Sequence, residues 1–495
     1  MQNPQKNQEV GYVVSSRNFM VYLDGCPTIK MNDLVESESG AIGWVNSLHQ
    51  DQIEVLMVED TKITPGQLFK KIETRLSITP GDFLLGRAIN PLGVPIDGRG
   101  LLSKSNKNNA MELEQPVGGI QYRQFINTQF ITGITTVDSL IPIGMGQREL
   151  IMGDAHSGKT SFLIDLIVNQ SKLNKNKKSP PVVCIYAAIG KPSVAVRNLI
   201  DVLSANNALT NTIIIGTSSS DTAPMIFLTP KTAFTVAEYF QKKGQDVLII
   251  LDDLGTHAKI YREISLLGDL PPGRESYPGD IFYQHAHLME RAGRFSSIIG
   301  GGSITALPVI ELNLNDFTTL IPTNLMSMTD GHLLFKSSLH NQGQRPAIDI
   351  SLSVSRVGRQ TQNRLINSIS AKVRQLLSEA EELETVSRFS SELPAKTQLI
   401  LRQKKIIEEI LKQEPLTFIP PQVQSILLEL VFTSFIGQKD RNFFAKFKDT
   451  LIQAFLTNPK LTNITNSIDK INDAYGLNKL LEQAMPTLGV ICKQG

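Results

Sequence analysis

Cysteine is scarce in this chain: only Cys26, Cys184 and Cys492 occur in 495 residues. An odd count at such wide, irregular spacing excludes a disulfide framework and a cysteine-based zinc site, and it points to a reducing compartment. Excess charge of one sign is lacking too. Lys and Arg number 49 against 47 Asp and Glu, a formal net charge of +2, so nothing marks nucleic acid as a partner. The one basic run, Lys172 to Lys178, is broken by Asn and Leu and reads as a solvated loop between a helix and a strand. No apolar run approaches the roughly 18 residues that a membrane-spanning helix needs. The start, Met1 to Glu9, holds neither the apolar centre of a signal peptide nor the Arg-rich pattern of a transit sequence. The expectation is a soluble chain that reaches a membrane only through partners.

What is present is enough chain for about three domains. From Val10 to Ile78, short alternating stretches are punctuated by Gly, Asp and Pro: Gly11-Tyr12-Val13-Val14, Phe19-Met20-Val21-Tyr22-Leu23, Ile42-Gly43-Trp44-Val45 and Ile53-Glu54-Val55-Leu56-Met57-Val58. They predict a small antiparallel barrel over 1–78. From 79 to 366, apolar runs alternate with helical patterns, as in Val182 to Tyr186, Thr212 to Gly216, Asp246 to Leu251 and Ser303 to Ile310. Such runs call for a parallel sheet covered on both faces, hence a multidomain α/β chain. Beyond, 367–495 carries helical spacing with few strand signals, for example Ala371 to Leu377 and Gln422 to Val431, and predicts an α-helical bundle.

The ligand class is set by Gly153-Asp154-Ala155-His156-Ser157-Gly158-Lys159-Thr160. A strand-like run, Gln147 to Met152, precedes it and a helical pattern, Ser161 to Gln170, follows. That is the order a phosphate-binding loop requires. Backbone amides and the positive helix end hold phosphate oxygens, Lys159 neutralises the terminal phosphates, and the Thr160 hydroxyl ligates magnesium. The apolar strand Val247 to Leu251 then delivers Asp252-Asp253 at its carboxyl end, where ligands bind in parallel sheets. Asp252 is the candidate carboxylate in the magnesium second shell; an isolated Asp-Asp pair is more often a helix cap, and its occurrence downstream of the phosphate loop reverses that weighting.

Hydrolysis needs a further group to orient or deprotonate water. Where the strand beginning Cys184-Ile185-Tyr186 runs out, the sequence has Lys191 instead of a carboxylate. An ammonium is no general base at neutral pH unless burial lowers its pKa by several units. Two readings of Lys191 stay open: a fixed charge for a terminal phosphate, or a solvated loop lysine.

Longer motifs accompany the loop. Gly133 to Thr160, Asp252-Asp253-Leu254 with Tyr261-Arg262-Glu263, and Pro271 to Asp280 resemble the alpha subunit of F-type ATP synthases. So do Gly300 to Pro308, Ile321-Pro322-Thr323-Asn324, and Arg345-Pro346-Ala347 with Leu352-Ser353-Val354-Ser355-Arg356-Val357-Gly358. The resemblance runs from Glu9 to about Gln424. It implies a barrel, a RecA-like nucleotide domain and a helical bundle, in a chain that binds ATP or ADP with magnesium but does not turn it over. It also implies an alternating ring of three such chains with three beta subunits, a central rotor (gamma) and a peripheral-stalk (delta) contact. The ring would sit on the cytoplasmic face of a bacterial membrane, touching it only through the Fo sector. Arg356 matches an arginine that reaches into the neighbouring beta site, and Ser353 a position supporting activity. Arg345, Pro346 and Gln413 match adenine-side contacts.

The resemblance is incomplete in places. A second glutamine of the family falls at Pro415, Lys191 stands for a glutamine, Ala155-His156 for Arg-Gln, and Gly268-Asp269-Leu270 for a more basic run. About eight polar residues precede the barrel where the family has a helical extension, which leaves stalk docking open. Two other readings compete: a catalytic hexameric ATPase of export or RNA-translocase type, which needs its own carboxylate near Lys191, and a ring protein without rotary coupling.

Overall fold

Alternation of apolar and polar residues closes the N-terminal stretch on itself. In the computed structural model, which describes residues 9–102, 109–116, 118–176, 180–314, 316–387, 394–435 and 439–494, six strands form a closed antiparallel barrel. They are Val10–Arg17, Met20–Gly25, Asp33–Ser37, Ile42–Leu48, Ile53–Met57 and Leu68–Arg75, the first pairing with both the second and the last. Val13, Val21, Leu23, Val35, Val45, Val55 and Phe69 share its interior. Closure leaves no free edge for another strand to pair with. Two of these strands had no distinct sequence signal: Asp33–Ser37 is short, and Leu68–Arg75 carries Lys70, Lys71 and Arg75. Lys71 pairs with Asp33 at 2.9 Å, between those two strands.

The chain divides into two compact units, and the barrel belongs to the first, made of residues 1–125, 174–312 and 316–329. The same unit holds parallel strands in the order Ala88–Ile89, Thr212–Ser218, Val183–Lys191, Val247–Asp252 and Ser303–Leu312. Their interiors are buried almost throughout, as strands covered on both faces must be. Helices Ser193–Ala205, Ala223–Lys242, Leu254–Leu267 and Ile281–Glu290 belong to this unit.

The second unit comprises residues 126–173, 313–315 and 330–495. Strand Glu149–Asp154 pairs in parallel with Gly331–Phe335, and Val354–Ser355 adds antiparallel to the latter. The helix Lys159–Asn176 follows the first of these. The C-terminal part is helical, with Arg364–Ser387, Ala395–Leu411, Pro421–Leu430, Arg441–Thr457, Pro459–Ser467 and Ala474–Gln494. Their apolar stripes bury Ile406, Ile410, Val423, Leu427, Phe444, Leu451, Phe455 and Leu481. Capping sets the starts: the Asn363 carboxamide accepts from Ile366 N at 2.8 Å, and Asp440 accepts from Phe443 N at 3.0 Å.

One local expectation is corrected. The run from Lys172 is not all loop, because the helix continues to Asn176 and the Lys172 ammonium donates to the Leu416 carbonyl; Lys178 lies outside the described residues, as do residues 1–8 of the start. No helix among the described residues is long and apolar enough to cross a membrane.

Candidate nucleotide site and exposed arginine

Strand Glu149–Asp154 has Gly153 as its penultimate residue, with φ +156°, and a Cβ there would lie 2.2 Å from the Phe335 carbonyl oxygen. Only glycine lets the two strands approach this closely. Asp154 then accepts through its carbonyl from the Ser157 hydroxyl at 2.7 Å and through its carboxylate from Ser337 at 3.2 Å. Lys159 is 8% exposed, and its ammonium donates to the Gly153 and Asp154 carbonyls at 2.8 and 2.5 Å. His156 takes a left-handed conformation, φ 57°, and Ala155, His156 and Thr160 face solvent. A folded loop opening a long helix, with the lysine held at its base, is built to receive an anion on backbone amides.

Gln413 is drawn toward this loop's own unit rather than left for a ligand. Its Nε2 donates to Gly133 O at 2.7 Å and Thr417 O at 2.9 Å, and its Oε1 accepts from Thr135 N at 3.1 Å. Its backbone N donates to Arg345 O at 2.7 Å. The structure therefore brings Arg345, Pro346 and Gln413 together, while committing the Gln413 amide to internal bonds. Arg345 is exposed, and its bond to Pro346 is cis. Asp138, unremarked in the sequence, anchors the same region: its buried carboxylate accepts from Thr132 N, Thr132 Oγ1, Gly133 N and Gln424 Nε2 at 2.7–3.0 Å.

In the first unit, the strand Val183–Lys191 ends at Lys191, the position the sequence set at its carboxyl end. Lys191 is thus no solvated loop lysine. Its ammonium lies 2.8 Å from Asp252 Oδ1 and 3.5 Å from Asp253 Oδ2. The Tyr186 hydroxyl donates to Asp252 Oδ2 at 2.5 Å. Burial works against the ammonium, but the two carboxylates outweigh it and raise its pKa. Burial, then Asp252, pushes the Tyr186 phenol well up. The Asp-Asp pair serves both purposes considered for it, since Asp253 caps helix Leu254–Leu267 by accepting from Thr256 N while Asp252 ends the strand.

Those contacts bear on magnesium. Thr160 fits the ion, being exposed in the first turn of a helix with no hydrogen bond from its hydroxyl among the described residues. At Asp252, Oδ1 takes the Lys191 ammonium and Oδ2 the Tyr186 hydroxyl, which leaves one further lone pair on each oxygen. No cluster of three His, Cys, Asp or Glu able to hold a metal occurs among the described residues.

Arg356 follows the short strand Val354–Ser355. The side chain is exposed, and among the described residues its guanidinium makes no hydrogen bond or ion pair. Its backbone is fixed instead: Arg356 N donates to Asp330 O at 2.9 Å, and the Asp330 carboxylate takes Arg148 at 2.7 and 3.0 Å. Ser353 is buried, with its hydroxyl donating to Asp349 O at 2.5 Å and accepting from Leu334 N at 3.0 Å. Gln147 Nε2 donates to Glu149 Oε2 at 2.7 Å and to the Ser355 hydroxyl at 3.1 Å. Glu149 is fully buried, and its Oε1 has no hydrogen-bond partner among the described residues. Desolvation drives its pKa well up, and the nearby Arg356 charge only moderates the rise. Its signal in the sequence is slight, a lone acid opening an apolar strand.

Residues 133–355 match the model of the ATP synthase alpha/beta family's nucleotide-binding domain, and 362–487 that of the alpha/beta chain's C-terminal domain. A relative from Metamycoplasma arthritidis, described as ATP synthase subunit alpha, is 40% identical over 94% of this chain and 86% of its own. The chain belongs to the alpha-subunit family of ATP synthases. Relatives of the same description from Mycoplasma pneumoniae, 39% identical over 91% of this chain and 85% of theirs, and from Caldanaerobacter subterraneus, 40% over 86% and 81%, are similar to it as well. Family membership accounts for the architecture, a barrel followed by parallel nucleotide-domain strands and a helical C-terminal region, and assigns nucleotide binding and service within an ATPase complex.

Proposed function

We propose that this chain is a noncatalytic nucleotide-binding subunit whose chemical contribution is made at a neighbouring chain's site through Arg356. The observation that carries the reading is that guanidinium: exposed and without a hydrogen bond or ion pair among the described residues, on a backbone pinned by Asp330, Ser353 and Ser355. An arginine held this way has its full charge to offer. A guanidinium spreads positive charge over phosphoryl oxygens in the transition state, worth about 10³ to 10⁵ in rate for such fingers.

The chain's own nucleotide, ATP or ADP, is held by the amides of Gly153 to Thr160 with Lys159 against its phosphates, and Arg345 and Pro346 flank the base. Magnesium supplies charge neutralisation for phosphates when bound, and Thr160 is the residue that would ligate it. Nothing at Lys191 deprotonates water, since a lysine with a raised pKa stays an ammonium. This counts against a self-sufficient export or translocase ATPase. The assembly in this reading is an alternating ring with beta subunits around a gamma rotor, contacted by a delta stalk. It lies on the cytoplasmic face of a bacterial membrane, reaching the membrane through the Fo sector and coupling to protons. The domain boundaries at 78/79 and 366/367 belong to the same reading.

Two measurements test it. The purified chain should bind a fluorescent ATP analogue and show no sustained multiple-turnover hydrolysis; steady turnover by the chain alone would overturn the noncatalytic assignment. In the ring reconstituted with its beta partner, Arg356→Ala should lower ATPase by about 10³-fold while nucleotide binding to this chain persists. Unchanged ring turnover would remove Arg356 from the mechanism.

A further inference from the structure

Gln147 lies two residues ahead of strand Glu149–Asp154 and is fully buried. Its Oε1 accepts from Gly144 N at 2.7 Å, while its Nε2 donates to Glu149 Oε2 at 2.7 Å and to the Ser355 hydroxyl at 3.1 Å. The amide cannot be turned over, because Gly144 N is a donor and must meet the oxygen. The hydroxyl that receives it is saturated as well. Ser355 donates to Pro142 O at 2.6 Å and accepts a second bond from Gly358 N at 3.2 Å, so its one hydrogen and both lone pairs are engaged.

Arg356 lies between Ser355 and Gly358 in sequence, and its own N donates to Asp330 O at 2.9 Å. A Cβ on Gly358 would lie 1.7 Å from Pro142 O, so the turn sits hard against that carbonyl. All of these residues belong to the second unit. The place also asks for an uncharged donor. A lysine or arginine at 147 would favour an ionised Glu149, and a carboxylate there would draw on the Arg356 charge, which already acts on Glu149. We infer that Gln147 is a positioning residue for Arg356: its amide ties the turn that carries the arginine to the strand that leads into the phosphate loop, and so sets where the guanidinium stands. The inference rests on the role given to Arg356 above, and the two are tested by different variants.

The test uses the ring reconstituted with its beta partner, followed by release of radiolabelled phosphate, with Gln147→Met, Arg356→Ala and the double variant. Gln147→Met has nearly the same length and lacks the amide. It should lower kcat by about 10- to 100-fold and leave KM for ATP within about twofold. In the Arg356→Ala background the same substitution should change kcat by less than about threefold, because no guanidinium is left to position. An equal loss in both backgrounds would overturn the inference by showing that Gln147 only holds the fold together. Turnover like wild type in Gln147→Met would overturn it and leave the arginine reading standing, whereas an Arg356→Ala ring with unchanged turnover would overturn both. Hydrogen exchange of the complete chain covers a variant that does not assemble. Amides at 355–358 should exchange about tenfold faster or more in Gln147→Met, while those of helix Arg441–Thr457 keep their wild-type rates; unchanged exchange at Gly358 would overturn the inference.

Discussion

Glu149 and Lys191 are both ionisable groups at strand ends, and their surroundings send them in opposite directions. Lys191 finds two carboxylates and keeps its charge. Glu149 finds one amide donor, and burial holds its proton on. A carboxyl with a raised folded-state pKa adds stability below its unfolded pKa and loses it as pH rises toward the folded value. Glu149→Gln removes that dependence while keeping the shape. In thermal melts from pH 4.5 to 8, the variant should gain steadily on wild type as pH rises; a constant offset would show that Glu149 does not titrate in this way. Because Arg356 moderates the shift, the gain should be larger in an Arg356→Ala background. A neutral Glu149 also leaves the Arg356 charge uncancelled. None of this was legible from residue order, since Glu149 reads as one more position in an apolar strand until Gln147, Ser355 and Arg356 close around it.

At the scale of elements, close approach between strands decides where glycine must stand. Gly153 meets Phe335, and a Cβ on Gly331 would lie 2.2 Å from Val354 O and 2.5 Å from Glu149 Oε2. Gly331→Ala should push the Val354–Ser355 strand outward and destabilise the chain by about 1–3 kcal/mol, the range for overpacking. Calorimetric melting checks this, and a reconstituted-ring ATPase assay should show a loss as well if Arg356 works from that strand. Stability unchanged to within error would mean that the strand moves freely. The phosphate loop, its strand and its helix were readable because glycine spacing and apolar periodicity are local properties. Lys191 was readable at the end of its strand, whereas the pairing of Ala187 and Ala188 with both neighbouring strands was not. Gln413 could be picked out in the sequence only through the family resemblance, and the commitment of its amide to Gly133, Thr135 and Thr417, which lie 4 to 280 residues away in sequence, could not be read at all.

For the molecule as a whole, opposing titrations shape the pH response. His257 and His285 are fully buried, 3.1 Å apart, and His257 also contacts the Phe227 carbonyl at 3.2 Å, beneath a ring that Lys231 overlies. Desolvation pulls His257 well down and His285 to about 4. Groups lowered in this way give stability above their unfolded pKa, near 6.5, that fades as pH falls. For His285 the loss is on the order of 3 kcal/mol by pH 4. Glu149 acts in the reverse sense, so melting temperature should pass through a maximum instead of rising or falling throughout. His285→Gln should flatten the acid limb between about pH 6.5 and 4; an unaltered acid limb would mean that the pair is already protonated or solvated. The sequence alone determined the ligand class, the α/β architecture with its barrel and helical end, and the likeness to ATP synthase alpha chains. These follow from local spacing and from long motifs in fixed order. Only the tertiary structure decided what each charge faces: that Lys191 holds Asp252, that Glu149 is buried with Gln147 as its one donor, and that Arg356 stands exposed with no hydrogen bond or ion pair among the described residues. Charge partnership depends on residues far apart in sequence and on burial, which no window along the chain records.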